Sequence, residues 1–574
     1  MDNQAIARVL AEIADLLEIK GENAFKIRAY RTAAEIVAAN PAALAEASAA
    51  ELQKLPGIGK DLAGKIREIA GTGDAQCHRD LVAQFPPTIL DLLHLQGVGP
   101  KTVALLHGSL AVRTIDDLEQ AARAGRLRAL RGMGARKEAL ILKALEERRQ
   151  YAGRHLLADA HDTASGLVEW LRGQAPDTEF IPVGSLRRGC ETCGDVDVLA
   201  IGGEPGVMDR FIAYQGVERQ LGRGETKSSA LLRGGFQADL RLVHARSRGA
   251  AMQYFTGSKP HNIALRDRAI QRGYKLNEYG LYRVGDNTRV AGEGENEIYE
   301  ALGLQYVPPE LRENRGEIER AEQRALPRLI DLADLKGDIH AHTDATDGRN
   351  TIEDMARGAA ASGLSYLAIT DHSRSLAMVG GLDEAALLEQ ARRVRDLSGH
   401  IDGVTLLAGI ECDILADGAL DLAADCLARL DVVVASIHAA FNPDPALMTE
   451  RILRAIDSPV VDIIGHPTGR LILKREGYRL DLERIFDRAA ERGVALEINS
   501  QIDRLDLGDT PARLARDRGV KLVISSDAHS QGGFGVLRWG VLTARRAWLE
   551  PGDVLNTLPV EEFVRSLRRN RKKR

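Results

Sequence analysis

Two sets of residues in this chain have the types and spacing that phosphate chemistry needs. The first begins at Gly184-Ser185-Leu186-Arg187-Arg188-Gly189 and runs into Gly194-Asp195-Val196-Asp197-Val198-Leu199. Side chains two apart on a strand face the same way, so Asp195 and Asp197 present paired carboxylates. A third, Asp239, is embedded in the apolar stretch Ala238-Asp239-Leu240-Arg241-Leu242-Val243. Crowded like charges are costly unless a divalent cation neutralises them, and a donor set of oxygens alone suits Mg2+. Beside a Gly-Ser turn and an arginine pair able to hold phosphates, such carboxylates fit two-metal phosphoryl transfer. An Asp-x-Asp by itself is more often a solvated strand end; its companions decide the matter here.

The second set is denser. His340-Ala341-His342, Asp347, Asp371-His372, Glu411, His438, His466 and Asp527-Ala528-His529 fall mostly at or just after the C-terminal ends of apolar, strand-like runs. One histidine in such a place is usually structural, but six together with Asp347, Glu411 and Asp527 point to bound metal. Mixed imidazole and carboxylate ligation favours Mn2+ or Zn2+. Asp371 reads as a residue that orients a ligand. The pair Cys190-x-x-Cys193 has no second pair to complete a zinc site, and five scattered cysteines do not make a disulfide framework.

The elements that must carry these sets change along the chain. Residues 1–150 read as helices interrupted by a repeated Gly-apolar-Gly turn: Leu55-Pro56-Gly57-Ile58-Gly59-Lys60, Leu95-Gln96-Gly97-Val98-Gly99-Pro100-Lys101 and Leu130-Arg131-Gly132-Met133-Gly134-Ala135-Arg136-Lys137. Glycines permit the tight turn, and the amides at the next helix start can grip a phosphate. From about residue 180 short strands alternate with helices. A Pro- and charge-rich stretch, 307–334, reads as a linker. Beyond it lie Gly337–Ile339, Tyr366–Ile369, Val404–Leu407, Asp431–Val434, Val461–Ile464, Val494–Ile498 and Lys521–Ile524, separated by helical patterns. A β-α repeat of that length predicts a parallel barrel with its site at the strands' C-terminal ends.

Composition sets the outer bounds. At 574 residues, and about 150 per domain, the chain should hold several modules. Apolar content of 44% and charged content of 28% are those of an ordinary globular protein. No apolar run approaches the roughly 18 residues of a membrane span, and the N-terminus lacks a basic leader, so a cytoplasmic protein with no membrane partner is expected. A net charge of −5 confines any nucleic-acid footprint to local patches such as the basic tail Arg565–Arg574.

These motifs together resemble two known families. The Gly-apolar-Gly turns are similar to helix-hairpin-helix motifs, which hold DNA by its backbone. The 184–199 stretch with Tyr254-Phe255-Thr256-Gly257-Ser258 resembles family X DNA polymerases of the DNA polymerase beta type, over about residues 1–315. That resemblance implies metal binding by Asp195, Asp197 and Asp239, with Asp239 near the attacking 3′ hydroxyl. It implies triphosphate contacts from Gly184, Ser185, Arg188 and Gly194, sugar contacts from Tyr254, Phe255 and Gly257, a base-edge contact from Asn262 and a template-side contact from Arg266. Arg241 and Glu278 match a pair associated with closing over the nucleotide. Cys193 stands where a hydroxyl residue is common. DNA contacts fall to Gly57, Gly59, Lys60, Gly97, Gly99, Lys101, Gly132 and Gly134. Lys65 aligns with a Schiff-base lysine and Tyr30 also matches, although Phe25 and Asp61 depart from the lyase pattern.

Residues 335–574 resemble PHP (polymerase and histidinol phosphatase) phosphoesterases, with the ligand positions of the trinuclear form filled. The resemblance groups His340, His342, Glu411 and Asp527 on one metal, Glu411, His438 and His466 on a second, and Asp347, His372 and His529 on a third, with Asn499 close by. Such domains are associated with manganese-dependent 3′→5′ exonuclease and abasic-site endonuclease activity. The expected architecture is therefore multidomain. It comprises a lyase-like helical domain with the first hairpin (1–80), a helical domain with two more (81–150), an α/β nucleotidyltransferase palm (151–250), a thumb (251–306), a linker (307–334) and a (βα)7-type PHP barrel (335–574). Gapped or nicked duplex DNA and deoxynucleoside triphosphates are the expected partners, for gap filling in repair. The alternatives are a polymerase joined to a small-molecule phosphatase and a DNA-end-binding scaffold.

Overall fold

The computed structural model describes residues 3–39, 44–55, 57–85, 88–95, 98–151, 153–376, 379–441 and 444–567. Gly97, Pro56 and the tail from Arg568 lie outside the described residues. The chain divides into two compact units, Met1–Ala152 and Gly153–Arg574. Among the described residues no helix is long and apolar enough to cross a membrane.

The first unit is helical among its described residues. The helix Asn3–Lys20 places Ile6, Leu10, Ile13 and Leu17 at intervals of three and four, so one stripe is buried against Tyr30, Ala33 and Val37 of the helix Ala24–Ala39. Each Gly-apolar-Gly turn buries its central residue, Ile58, Val98 or Met133. Gly57, Gly59, Gly99, Gly132 and Gly134 stay exposed. Gly57 and Gly132 hold φ of +81° and +84°, the left-handed region that favours glycine. Gly59 and Gly99 are the N-caps of Lys60–Thr72 and Pro100–Leu110, and Gly134 opens Gly134–Tyr151. The apolar plug thus anchors a turn whose glycine backbone faces outward.

The second unit begins with a five-stranded mixed sheet: β1 (Glu179–Pro182), β2 (Asp195–Ile201), β3 (Val217–Arg223), β4 (Lys227–Leu232) and β5 (Gln237–Val243), in spatial order β1-β2-β5-β4-β3. Only β2 and β5 run parallel. The inward residues Val196, Val198, Ala238 and Leu240 pack on Leu167 and Leu171 of the helix Leu157–Gln174. A second module follows, in which helices Arg248–Thr256, Lys259–Gln271 and Glu295–Ala301 accompany the antiparallel strands β6 (Tyr274–Asn277), β7 (Gly280–Arg283) and β8 (Arg289–Ala291). The stretch read as a linker carries buried side chains: Val307, Leu311, Ile318 and Ala321 share a core with Leu281, Ile298, Tyr299 and Trp548. Arg312 is fully buried within it.

The last module is a seven-stranded parallel sheet whose spatial order is its chain order. Its strands are β9 (Gly337–Asp338), β10 (Tyr366–Ile369), β11 (Thr405–Asp413), β12 (Val432–Ser436), β13 (Ile463–Ile464), β14 (Ala495–Asn499) and β15 (Leu522–Ser525). A parallel bridge between Ala341 and Ala528 brings the first and last strands together, so the barrel is nearly closed. Amphipathic helices such as Ile352–Ala361 and Leu482–Arg492, N-capped by Thr351 and Asp481, cover its outside.

Candidate active sites

The mixed sheet explains the geometry of the first set. The parallel pairing of β2 with β5 places Asp197 directly opposite Asp239, while Asp195 precedes Asp197 by one pleat. The backbone at Gly184 has φ +68°, and a Cβ there would lie 2.8 Å from the Asp197 carboxylate. Only glycine lets that turn come so near. Burial, then the charges of Asp195 and Asp239, push Asp197 up to about 6. Burial opposes ionisation of Asp239 too, but hydrogen bonds from Lys227, Ser229 and Gln237 outweigh it and hold this carboxyl below its ordinary value. Lys227 Nζ lies 2.7 Å from Asp239 Oδ2 and Gln237 Nε2 donates to Oδ1 at 3.2 Å.

A cavity of about 540 Å³ opens beside these carboxylates, lined by Gly184, Ser185, Arg188, Asp195 and Asp197 from one module and by Tyr254, Phe255, Gly257, Asn262 and Arg266 from the next. Segments some 70 residues apart meet there. Gly194 does not line the cavity; Gln253, Lys259 and Leu276, which sequence reasoning missed, do. Asn262 is held by Gln253, whose Nε2 donates to its Oδ1 at 2.7 Å, and its own Nδ2 donates to the Tyr254 carbonyl. Arg188 donates to the Thr256 carbonyl and, at 3.0 Å, to Glu313. Arg241 stacks on Phe255, 4.6 Å from its ring centre, and among the described residues it makes no ion pair with Glu278. Cys193 is wholly buried, its thiol pushed up to about 11 chiefly by that burial.

The second set converges at the C-terminal mouth of the barrel. Three overlapping groups bring their ligand atoms within 4.8 Å of one another: His342 with Asp347, His372 and His529; His340 with His342 and Asp527; His372 with Glu411 and His438. His466 Nε2 lies 2.9 Å from Glu411 Oε1. Glu411 lies within β11, and the backbone turns to φ +23° at His466 and +52° at Asp527, values that non-glycine residues adopt at a cost. The buried nitrogens His340 Nε2, His342 Nδ1 and Nε2, and His466 Nδ1 lack a hydrogen-bond partner among the described residues. Desolvated lone pairs with no donor, set among carboxylates, fit divalent cations. Burial alone would discharge His372 and His438, yet the Glu411 charge overcomes it and holds them near 10 and 9. The cluster calls for positive charge.

Several supporting residues went unread in the sequence. Glu497, fully buried on β14, accepts from His340 Nδ1 at 2.7 Å and also holds Ser525 and the His466 amide. Asp413 fixes His438 Nδ1 at 2.9 Å. Both are charged residues inside apolar strands, the same signal that singled out Asp239. Asn499 Nδ2 donates to Asp527 at 3.0 Å. Asp371 gathers Thr343, Thr346 and Gln390, and so shapes the loop that presents Asp347. In the first unit, Lys60 and Lys101 are exposed at their helix starts. Lys65 is ion-paired with Asp61 and lies 5.7 Å from the Tyr30 ring centre, while Tyr30 itself is buried.

A helix-hairpin-helix region, a polymerase-type carboxylate sheet with its nucleotide-sized cavity and a histidine-rich parallel barrel define a DNA-processing protein of composite build. Family models match in that order: a helix-hairpin-helix domain over residues 1–75, a SAM-like helix-hairpin-helix tandem over 89–147, the DNA polymerase beta thumb over 251–313 and the PHP domain over 338–501. The DNA polymerase/3'-5' exonuclease PolX of Bacillus subtilis is 35% identical over 99% of this chain and 100% of its own length. Over 40% of the chain, a probable phosphatase of Thermoanaerobacter is 32% identical, matched over 95% of its own length. A probable phosphatase of a Shewanella strain is 36% identical over 34% of the chain and 79% of its own length. The chain belongs to the PolX family of DNA polymerase/3'-5' exonucleases.

Proposed function

We propose that this protein fills short gaps in DNA during repair and trims 3′ ends, or incises abasic sites, with its PHP barrel. The observation that carries the first part is the meeting of Asp195 and Asp197 with Tyr254, Phe255, Gly257 and Arg188 around one cavity. Arg188, Lys259 and the amides at Gly184 and Ser185 would hold the triphosphate of a deoxynucleotide. Tyr254, Phe255 and Gly257, at the end of the helix Arg248–Thr256, would pack on its sugar, Asn262 would meet the base edge and Arg266 the template side. Asp239, its rotamer fixed by Lys227 and Gln237, would orient the 3′ hydroxyl for in-line attack on the α-phosphate. Asp195, Asp197 and Asp239 suit Mg2+, and the barrel groups suit up to three Mn2+ or Zn2+ ions. When bound, such ions neutralise phosphate charge, lower the pKa of an attacking hydroxyl or water and steady the leaving oxygen. The outward Gly57, Gly59, Gly99, Gly132 and Gly134 turns with Lys60 and Lys101 would grip the duplex backbone of gapped or nicked DNA. A cytoplasmic setting fits the composition, and the modules are those drawn from the sequence, save that Val307, Leu311, Ile318 and Ala321 of the expected linker pack with the thumb-like module.

A second reading for the barrel, hydrolysis of a small phosphomonoester, is favoured by its likeness to probable phosphatases along nearly their whole length. Purified protein on end-labelled gapped DNA separates the two. Asp195→Ala with Asp197→Ala should reduce nucleotide addition by orders of magnitude and leave end degradation in Mn2+. His340→Ala with His342→Ala should do the reverse. Loss of the nuclease in the folded, DNA-binding Asp195/Asp197 variant would remove hydrolysis from the barrel. Phosphate release from small monoesters without cutting of DNA would establish the second reading.

A further inference from the structure

On the reading that Arg188 holds the triphosphate, we propose that Arg546, a barrel residue, is a positioning residue for nucleotide addition and acts on Arg188 through Glu313. The sheet module and the barrel belong to one compact unit and share an apolar contact. Ile472, Leu505 and Trp539 of the barrel sit in the same buried cluster as Leu157 and Val196, and Trp539 meets His161 edge-on at 5.2 Å. Gly189, which ends the Gly-Ser-Leu-Arg-Arg turn, has φ +66°, and a Cβ there would touch Leu542 of the barrel helix Leu537–Arg546 at 3.4 Å.

At the end of that helix Arg546 makes a polar brace. Its Nη1 donates to the Arg188 carbonyl at 2.9 Å and to Glu313 Oε1 at 2.9 Å. The same Glu313 oxygen accepts from Arg188 Nε at 3.0 Å. Nη2 of Arg546 is paired with Asp509 at 2.9 Å, and Asp509 is paired in turn with Arg315 at 3.1 Å. The guanidinium of Arg546 therefore fixes both the backbone of Arg188 and the carboxylate that aims its side chain. Arg546 is 8% exposed, so these contacts are little screened by water. Burial opposes ionisation of Glu313, yet Arg546 and then Arg188 hold its carboxyl below the ordinary range. Arg546 itself does not line the nucleotide cavity. Its influence on nucleotide has to pass through Arg188.

Steady-state gap filling by the full chain tests this. Arg546→Ala should raise the deoxynucleotide KM about tenfold, the scale of one charged hydrogen bond, with kcat falling less than about threefold. Arg546→Lys should recover part of the loss, because an ammonium can still reach Glu313. In an Arg188→Ala background the same Arg546→Ala change should add almost nothing, since both act on one contact. Nuclease activity and thermal unfolding of each preparation report the barrel's integrity. Should Arg546→Ala fail to fold, Glu313→Gln removes the negative charge that Arg546 and Arg188 share, with little change of shape, and should raise KM likewise. An unchanged KM in either folded variant, or an Arg546→Ala effect undiminished by Arg188→Ala, overturns the inference. An unchanged KM in Arg188→Ala alone overturns the reading on which it rests, and the inference with it.

Discussion

Glu295 ties the thumb-like module to the turn at Arg187, and its loss should be felt in both stability and catalysis. Its carboxylate accepts from Arg187 at 2.7 and 3.0 Å, from Tyr306 at 3.0 Å and from Arg312. Arg312 is fully buried, and among the described residues its other hydrogen bonds go to the Val307 carbonyl, at 2.9 and 2.8 Å. Burial opposes ionisation of Glu295, but Arg312 and Arg187 prevail and bring it from 4.5 to about 2. That difference corresponds to about 3 kcal/mol at neutral pH, within the range of about 3–5 kcal/mol for breaking a buried ion pair. Glu295→Gln keeps the shape and removes the charge. It should therefore destabilise the module by about 3 kcal/mol at pH 7, read by urea titration of the fluorescence of Trp548, which lies in the same core. Because the folded carboxyl is the stronger acid, its contribution is complete above the unfolded value near 4.5 and fades as pH falls toward 2. The gap between wild type and variant should thus shrink between about pH 5 and pH 3. Arg187 also donates to Thr256 at 2.6 Å, the last residue of the helix Arg248–Thr256 that carries Tyr254 and Phe255, so nucleotide addition should fall more than nuclease activity. A penalty below about 1 kcal/mol at pH 7, or one that does not fade with acid, would refute the reasoning.

Glu497→Gln should weaken metal binding by the barrel about 10- to 100-fold by replacing the carboxylate that holds His340 Nδ1 with a neutral amide, measured by competition with a chelating dye; an unchanged affinity would leave Glu497 a packing residue. Metal-stripped protein should gain thermal stability when Mn2+ is added, and the gain should vanish in the His340→Ala, His342→Ala double variant. Borohydride trapping on an incised abasic site should be weak, given the Lys65–Asp61 ion pair, and a strong adduct lost in Lys65→Ala would contradict that. Deleting residues 568–574 should flatten the salt dependence of DNA binding, and an unchanged slope would deny the tail that role.

The architecture was legible wherever one residue type at fixed spacing has one physical use. Three Gly-apolar-Gly turns, a carboxylate pair one pleat apart and ligands following successive apolar runs each announce their element locally. The stretch 307–334 did not. Its prolines and charges read as a tether, whereas Arg312, Glu310 and Glu317 are buried there against partners from elsewhere in the chain, such as Arg545 and His261. Burial of charge depends on partners distant in sequence, and no local pattern reports it.

What the sequence by itself determined was therefore the kind of chemistry and the elements that carry it: Asp195, Asp197 and Asp239 on strands, and nine metal-ligand candidates distributed around a β-α repeat. Only the tertiary structure decided which groups meet. The parallel register of β2 and β5 sets Asp197 opposite Asp239, and near-closure of the barrel at Ala341 and Ala528 brings His342 to Asp527 at 3.1 Å. It also placed Glu313 between Arg188 and Arg546, residues 358 positions apart in the chain. Side-chain periodicity is a property of the local backbone, whereas the distance between two side chains on different elements is set by packing of the whole core.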